Sequence, residues 1–216
     1  MKSFLIIGLG SFGMVLAREL WQRDCEVVAV DRDRQKIDQV ADFTTHAIEA
    51  DITDQHVLEQ IGPCDFDQVI IAFSNNIEDS ILLTVMLKEM GVVNLVAKAR
   101  DPLHGRVLEK LGVSRIILPE REMGVRLAQV LCGSNLVDYL EIAEGIDVAE
   151  IHVPADWAGK SIAAIDVRRK YGLNILAVKS EDNNIVPSPG PEQVLQQGDL
   201  LIVMGSSEAI DKADKL

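Results

Sequence analysis

An apolar run, Phe4-Leu5-Ile6-Ile7, breaks into Gly8-Leu9-Gly10-Ser11-Phe12-Gly13 and then into a helical pattern, and no other feature constrains this chain as tightly. Four consecutive apolar residues predict a strand buried on both faces. The three glycines after it make a tight turn that lets a phosphate approach the backbone and the helix N-terminus. The context supports more than a packing turn: Phe12, Val15, Leu16 and Leu20 recur at helical spacing, and a second strand, Glu26 to Val30, ends in Asp31, eighteen positions after Gly13. An acid at that strand end is where ribose hydroxyls are received.

Strand and helix patterns go on alternating, as in a parallel sheet covered by helices on both faces. Further strands are expected at His46 to Ala50, Gln68 to Ala72, Asn94 to Lys98 and Arg115 to Leu118, the last stopped by Pro119. Asp101-Pro102 reads as a helix start, acid as cap and proline in the first turn, with Leu103, Val107, Leu108 and Leu111 as its buried face. The helix from about Ile77 to Met90 is apolar around nearly its whole circumference, which fits either a central core helix or one that also meets a second subunit. A connecting helix, Glu120 to about Leu131, carries Met123, Leu127, Val130 and Leu131 as its stripe. After Gly133 the character changes to short strands at Val137 to Ile142, Val148 to Val153, Leu173 to Val178 and Leu200 to Met204, with a helical piece near Ile165 to Lys170. The fold class expected is therefore α/β: a Rossmann-like doubly wound sheet and a connecting helix over residues 1–133, then a small α+β domain over 134–216.

At 216 residues and 48% hydrophobic composition, two cores are affordable. A net charge of -13 argues against nucleic acid and anionic membrane surfaces as partners. Cys25, Cys64 and Cys132 are far apart and form no CxxC pair, so reduced thiols, no zinc site and a cytoplasmic location are expected. The first strand begins close to Met1, which predicts no signal peptide, and no apolar run approaches the ~18 residues of a membrane span.

The candidate ligand-binding residues follow from the sheet. Gly8, Leu9, Gly10, Ser11, Phe12 and Gly13 form the turn, and Asp31 prefers a free 2′-hydroxyl, with Arg32 as a potential partner for a 2′-phosphate. Asp51, at the next strand end, either accepts from an adenine amino group or belongs to the cap of the following helix. Phe73, Ser74, Asn75 and Asn76 form the loop after the fourth strand, where Ala72, Phe73 and Ser74 are candidate ligand residues. Lys98 and Arg100 stand at the carboxyl end of the fifth and either neutralise phosphates or form a solvated pair. Glu120 suits the dipole of its helix. The four histidines form no pair with a nucleophile or carboxylate at recognisable spacing, and no nucleophile motif occurs, so the pocket reads as built to bind. A small NAD-dependent oxidoreductase is the alternative that the bare Rossmann pattern allows.

The chain resembles the regulator-of-potassium-conductance (RCK, or KTN) family, the cytosolic gating subunits of Trk and Ktr potassium uptake systems. The carriers are Ile7 to Gly13, Val30-Asp31, Asp67 to Ala72, Leu87-Lys88-Glu89-Met90-Gly91, Val107 to Gly112, Pro119-Glu120-Arg121-Glu122-Met123-Gly124 and Asp166 to Gly172. The resemblance implies an ATP, ADP or NAD(H) site on the glycine turn, with Asp31 as ribose ligand and Glu120 helping to hold a metal such as Mg²⁺ near the phosphates. It implies a crossover helix that pairs two subunits, and homodimers that join into a tetrameric or octameric ring beneath a membrane potassium transporter subunit. Arg168 and Asn174 match positions that line a cyclic di-AMP site in members that sense it. Several relatives carry an arginine where this chain has Ser11, which implies a weaker preference for ATP over ADP unless Arg100 substitutes.

Overall fold

The computed structural model describes all residues from Met1 to Leu216 and divides into two compact units, Met1–Arg121 and Glu122–Leu216. In chain order the first carries β1 (Ser3–Ile7), α1 (Ser11–Trp21), β2 (Glu26–Asp31), α2 (Arg34–Val40), β3 (His46–Glu49), α3 (Gln55–Ile61), β4 (Gln68–Ile71), α4 (Ile77–Glu89), β5 (Leu95–Lys98), α5 (Pro102–Lys110) and β6 (Arg115–Ile117). Helix α6 (Pro119–Cys132) begins in this unit and continues into the next.

The six strands are all parallel, in the order β3-β2-β1-β4-β5-β6. This is the doubly wound Rossmann order, whose direction reverses between β1 and β4 and opens a crevice at their carboxyl ends. Alternation along the strands separates two cores. Leu5, Ile7, Val28, Val30, Val69 and Ile71 face one side with Leu58, Leu83, Leu87 and Leu108 of the helices. Phe4, Ile6, Val27, Ala29 and Ile70 face the other with Ala17, Ile37 and Val40. Every strand residue from Leu5 to Ile7 is fully buried because both faces are covered.

Some helix faces differ from the expected ones. On α1 the expected Phe12, Leu16 and Leu20 pack against the core and Gly13 and Ala17 are fully covered beside them, while Val15 is exposed. On α5 Leu103 is exposed and His104, Gly105 and Leu108 are buried. Helix α4 buries Ser80, Leu83, Thr84 and Leu87 and leaves Leu82 about half exposed. Asp101 caps α5 by accepting from the His104 N–H at 2.9 Å, with Pro102 in the first turn.

The second unit adds to the rest of α6 the elements β7 (Leu136–Ala143), β8 (Ile146–His152), α7 (Ile162–Ile165), α8 (Val167–Tyr171), β9 (Asn174–Lys179), β10 (Ile185–Pro187), β11 (Leu200–Gly205) and α9 (Ser207–Asp214). Its strands form an antiparallel sheet, β10-β9-β11-β8-β7. Trp157, Ile151, Leu173, Leu195, Leu201 and Val203 fill the core, with Trp157 edge-on to Tyr171 at 5.0 Å. Helix α9 was not among the expected elements, although Ser206 before it and Ala209, Ile210 and Ala213 on its buried face are a legible cap and stripe. Its last residue closes the unit: Asp214 accepts from the backbone N–H groups of Ser134, Asn135 and Leu136 at 3.1, 2.7 and 2.8 Å.

Candidate functional site

The crevice at the carboxyl ends of the parallel strands holds a cleft of about 160 Å³ lined by Gly8, Val30, Asp31, Arg32, Lys36, Asp51, Ile52, Thr53, Phe73, Asn75, Asn76 and Asp79. Gly8 turns the chain there with φ +98°, and a side chain on it would collide with Phe73. A Cβ on Gly13 would lie 2.0 Å from the Gly8 carbonyl oxygen, so only glycine lets α1 start this close to β1. Gly10 has a different reason, since its φ of −73° suits any residue and a Cβ on it would meet nothing within 4 Å. The space beside Gly10 is open, as a ligand on the turn requires.

The start of α1 is also unlike its neighbours. Asp33, Asp54, Asn76 and Asp101 cap α2, α3, α4 and α5 with side-chain oxygens, whereas α1 has no side-chain cap. Its first N–H groups and the positive end of its dipole are left for an anion.

Asp31 is nearly buried at the end of β2. Its Oδ2 accepts from the Leu9 N–H at 2.6 Å and from Lys36 Nζ at 3.3 Å, and its Oδ1 accepts from the Asp33 N–H at 2.9 Å. Burial opposes its ionisation, but the Leu9 and Asp33 N–H groups and the Lys36 ammonium outweigh it and hold the carboxyl below its usual range. Asp51 is oriented by Thr53, whose hydroxyl and N–H donate to Oδ1 at 2.7 and 3.0 Å; these bonds, with Arg32 beyond them, keep it ionised. The cap of α3 is Asp54, so Asp51 is not that cap.

Of the residues expected to bind ligand, Gly8, Asp31, Arg32, Asp51 and Phe73 share the cleft. Leu9 joins them through its N–H, and Gly10 and Ser11 lie exposed at the start of α1. Phe12 is half-buried, Gly13 packs beneath the turn, and Ala72 and Ser74 are buried on either side of Phe73. Lys98 and Arg100 do not line the cleft. Lys98 Nζ pairs with Glu120 Oε1 at 2.5 Å, and Arg100 Nε pairs with Asp101 Oδ2 at 3.2 Å. The Lys98 ammonium, chiefly through its hydrogen bond, holds the Glu120 carboxyl below its usual range. In the second unit Arg168 is exposed on α8 and Asn174 opens β9, with the Gly172 turn at φ +73° between them. No group of three or more His, Cys, Asp or Glu side chains is arranged to hold a metal ion, and Glu120 has Lys98 for a neighbour. Asn75 and Asn76, in the loop expected after the fourth strand, also line the cleft, and the lining residues that sequence reasoning missed are Lys36, Ile52, Thr53 and Asp79, which reach it from a loop and first helical turns and have no strand-end signature.

Fold and crevice define a two-unit protein, a Rossmann-type α/β unit followed by a small antiparallel unit. The family models agree: the TrkA-N domain matches residues 4–119 and the TrkA-C domain residues 148–216. The Ktr system potassium uptake protein C of Bacillus subtilis (strain 168) is 40% identical over 214 residues, 99% of this chain and 96% of that protein. The Ktr system potassium uptake protein A of Vibrio alginolyticus is 33% identical over 215 residues, 100% of this chain and 96% of that one. The chain belongs to this TrkA-N and TrkA-C family of potassium uptake proteins. Among solved structures, the GsuK RCK domain shares the fold with a TM-score of 0.70 at 20% identity, covering 100% of this chain, which spans about half (48%) of that chain. The GsuK channel bound to NAD follows at 0.67 and 21%, covering 96% of this chain and 38% of that one. No helix is long and apolar enough to cross a membrane.

Proposed function

We propose that this protein is a nucleotide-binding regulatory subunit that gates a membrane potassium transporter. The observation that carries the reading is the glycine turn: open space at Gly10, an uncapped α1 and an oriented Asp31 form a receptor for an adenosine nucleotide, in a chain whose relatives are Ktr potassium uptake proteins along their whole length. ATP, ADP or NAD(H) would place its ribose at Asp31, its adenine toward Asp51 and its first phosphate at the N-terminus of α1. Lys98, Arg100 and Glu120 would meet the outer phosphates, and Glu120 is the residue that would help to hold a Mg²⁺ ion near them. The protein acts by shape and not by catalysis.

Helix α6 supports assembly. It buries none of its residues, and Met123, Val125, Leu127 and Leu131 are each more than half exposed. In our reading this helix pairs two copies of the chain, the dimers close into a ring, and the ring docks on the cytoplasmic side of its membrane partner. Cyclic di-AMP at Arg168 and Asn174 is a second input. The test is potassium flux through the partner transporter in vesicles, with this protein added and ATP or ADP exchanged. A flux that ignores both the protein and the nucleotide would overturn the reading, and steady NAD(P)H turnover with hydroxy acids or aldehydes would favour the oxidoreductase.

A further inference from the structure

We propose that Lys36 determines how the cleft treats the ribose 2′ position, an inference that rests on the nucleotide reading above and assigns a specificity residue within it. A carboxylate at the end of the second strand ordinarily receives both ribose hydroxyls. Here Asp31 already accepts three hydrogen bonds, and two of them, from the Leu9 N–H and Lys36 Nζ, fall on the same oxygen. The Leu9 and Asp33 donors are backbone groups fixed by the turn and by the start of α2. Lys36 is the one donor on a flexible stem, with its side chain 38% exposed against 8% for Asp31. A ribose hydroxyl that reaches Oδ2 must displace or share that ammonium.

The displaced ammonium stays in the cleft, since Lys36 itself lines it. Three carboxylates, Asp31, Asp51 and Asp79, and two cations, Arg32 and Lys36, are the charged groups around the cleft. Arg32 acts on Asp51, whose ionisation it favours. Lys36 is thus the cation committed to the ribose acid. With it, a 2′-phosphate finds an ammonium next to the acid that repels it. Without it, the same phosphate meets three carboxylates against one guanidinium. Lys36 therefore competes with the free 2′-hydroxyl for Asp31 and tempers the rejection of 2′-phosphorylated nucleotides.

Calorimetry on the full chain tests this with two probes that differ only at the 2′ position, adenosine 5′-monophosphate and adenosine 2′,5′-bisphosphate. Lys36→Gln should raise the affinity ratio of the first over the second by about threefold to tenfold, the size of one partly screened charge interaction. Lys36→Arg, which keeps the charge, should retain the wild-type ratio. A ratio unchanged in Lys36→Gln, an equal loss for both probes, or an arginine variant that behaves like the glutamine one would overturn the assignment. Failure of the wild type to bind either probe would instead overturn the nucleotide site, and this assignment with it.

Discussion

Lys98 and Glu120 form an ion pair of 2.5 Å between the end of β5 and the first turn of α6, and the two ends of it differ: the lysine side chain is 10% exposed and the glutamate 71%. The buried cation is the fixed partner and the solvated carboxylate the replaceable one. A nucleotide phosphate arriving at Lys98 must displace Glu120 or be joined to it by a cation. Glu120→Gln should therefore raise metal-free ATP affinity by releasing Lys98, and lower the gain in ATP affinity that Mg²⁺ brings, while ADP affinity stays close to wild type. ATP titrations with and without Mg²⁺ on both proteins decide this. Identical coupling would reduce Glu120 to a dipole partner for its helix.

Asp31→Ala removes the acceptor of the Leu9 N–H and, in the proposed nucleotide site, that of the ribose. Adenosine-nucleotide binding should weaken by about 1–3 kcal/mol, the range for a charged acceptor. Calorimetry with unchanged affinity for ATP, ADP and NADH would remove Asp31 from the site.

Gly13→Ala forces a Cβ to within 2.0 Å of the Gly8 carbonyl oxygen, which is backbone and cannot step aside. We expect a loss of about 1–3 kcal/mol or more in unfolding free energy, as for overpacking of a tight core. Gly10→Ala, at a position with open space, should leave stability near wild type and weaken nucleotide binding. Denaturant melts and calorimetry on the two variants separate the glycine that packs from the glycine that receives.

The exposed apolar residues of α6 predict a dimer or larger closed assembly at micromolar concentration. Leu127→Arg should shift it toward monomer by placing a charge on that face. Light scattering measures both. A wild type that is cleanly monomeric would mean that α6 is covered in some other way.

His104 supplies a pH dependence. It is 2% exposed, its Nδ1 accepts from the Arg100 N–H at 3.2 Å, and its Nε2 has no partner. Burial pushes its pKa below the ordinary 6.5, with Asp101 opposing and Arg100 adding to the effect. The unfolded chain then takes up this proton at a higher pH than the folded one. The stability contribution is complete above the unfolded value and is lost as pH falls through the folded one. The melting temperature should drop as pH falls through and below the ordinary histidine range, and less steeply in His104→Gln. Parallel slopes would assign the sensitivity to other groups.

The parallel sheet was legible in the sequence because its strands are covered on both faces and so read as unbroken apolar runs, such as Phe4 to Ile7. Asp31 was legible for a related reason: a charge that ends such a run needs a purpose. Gly8, Arg32, Asp51 and Phe73 were legible as glycine turn and strand ends. Lys36, Thr53 and Asp79 were not, because they reach the cleft from a separate loop and first helical turns, and each looks locally like an ordinary surface residue. Helical spacing also misassigned Val15 and Leu103, because which side of a helix meets the sheet depends on how closely the backbones approach, a distance that Gly13 sets for α1.

By itself, then, the sequence determined the alternation of strands and helices in the first unit, the place of the glycine turn and the acid that faces it, since all three depend on spacing within one segment. Only the tertiary structure decided that Lys36 answers Asp31, that Lys98 holds Glu120 and that Asp214 closes on Ser134 to Leu136. Hydrogen bonds and ion pairs act over a few ångströms. Chain spacing cannot show which side chains from different elements the fold brings within that reach.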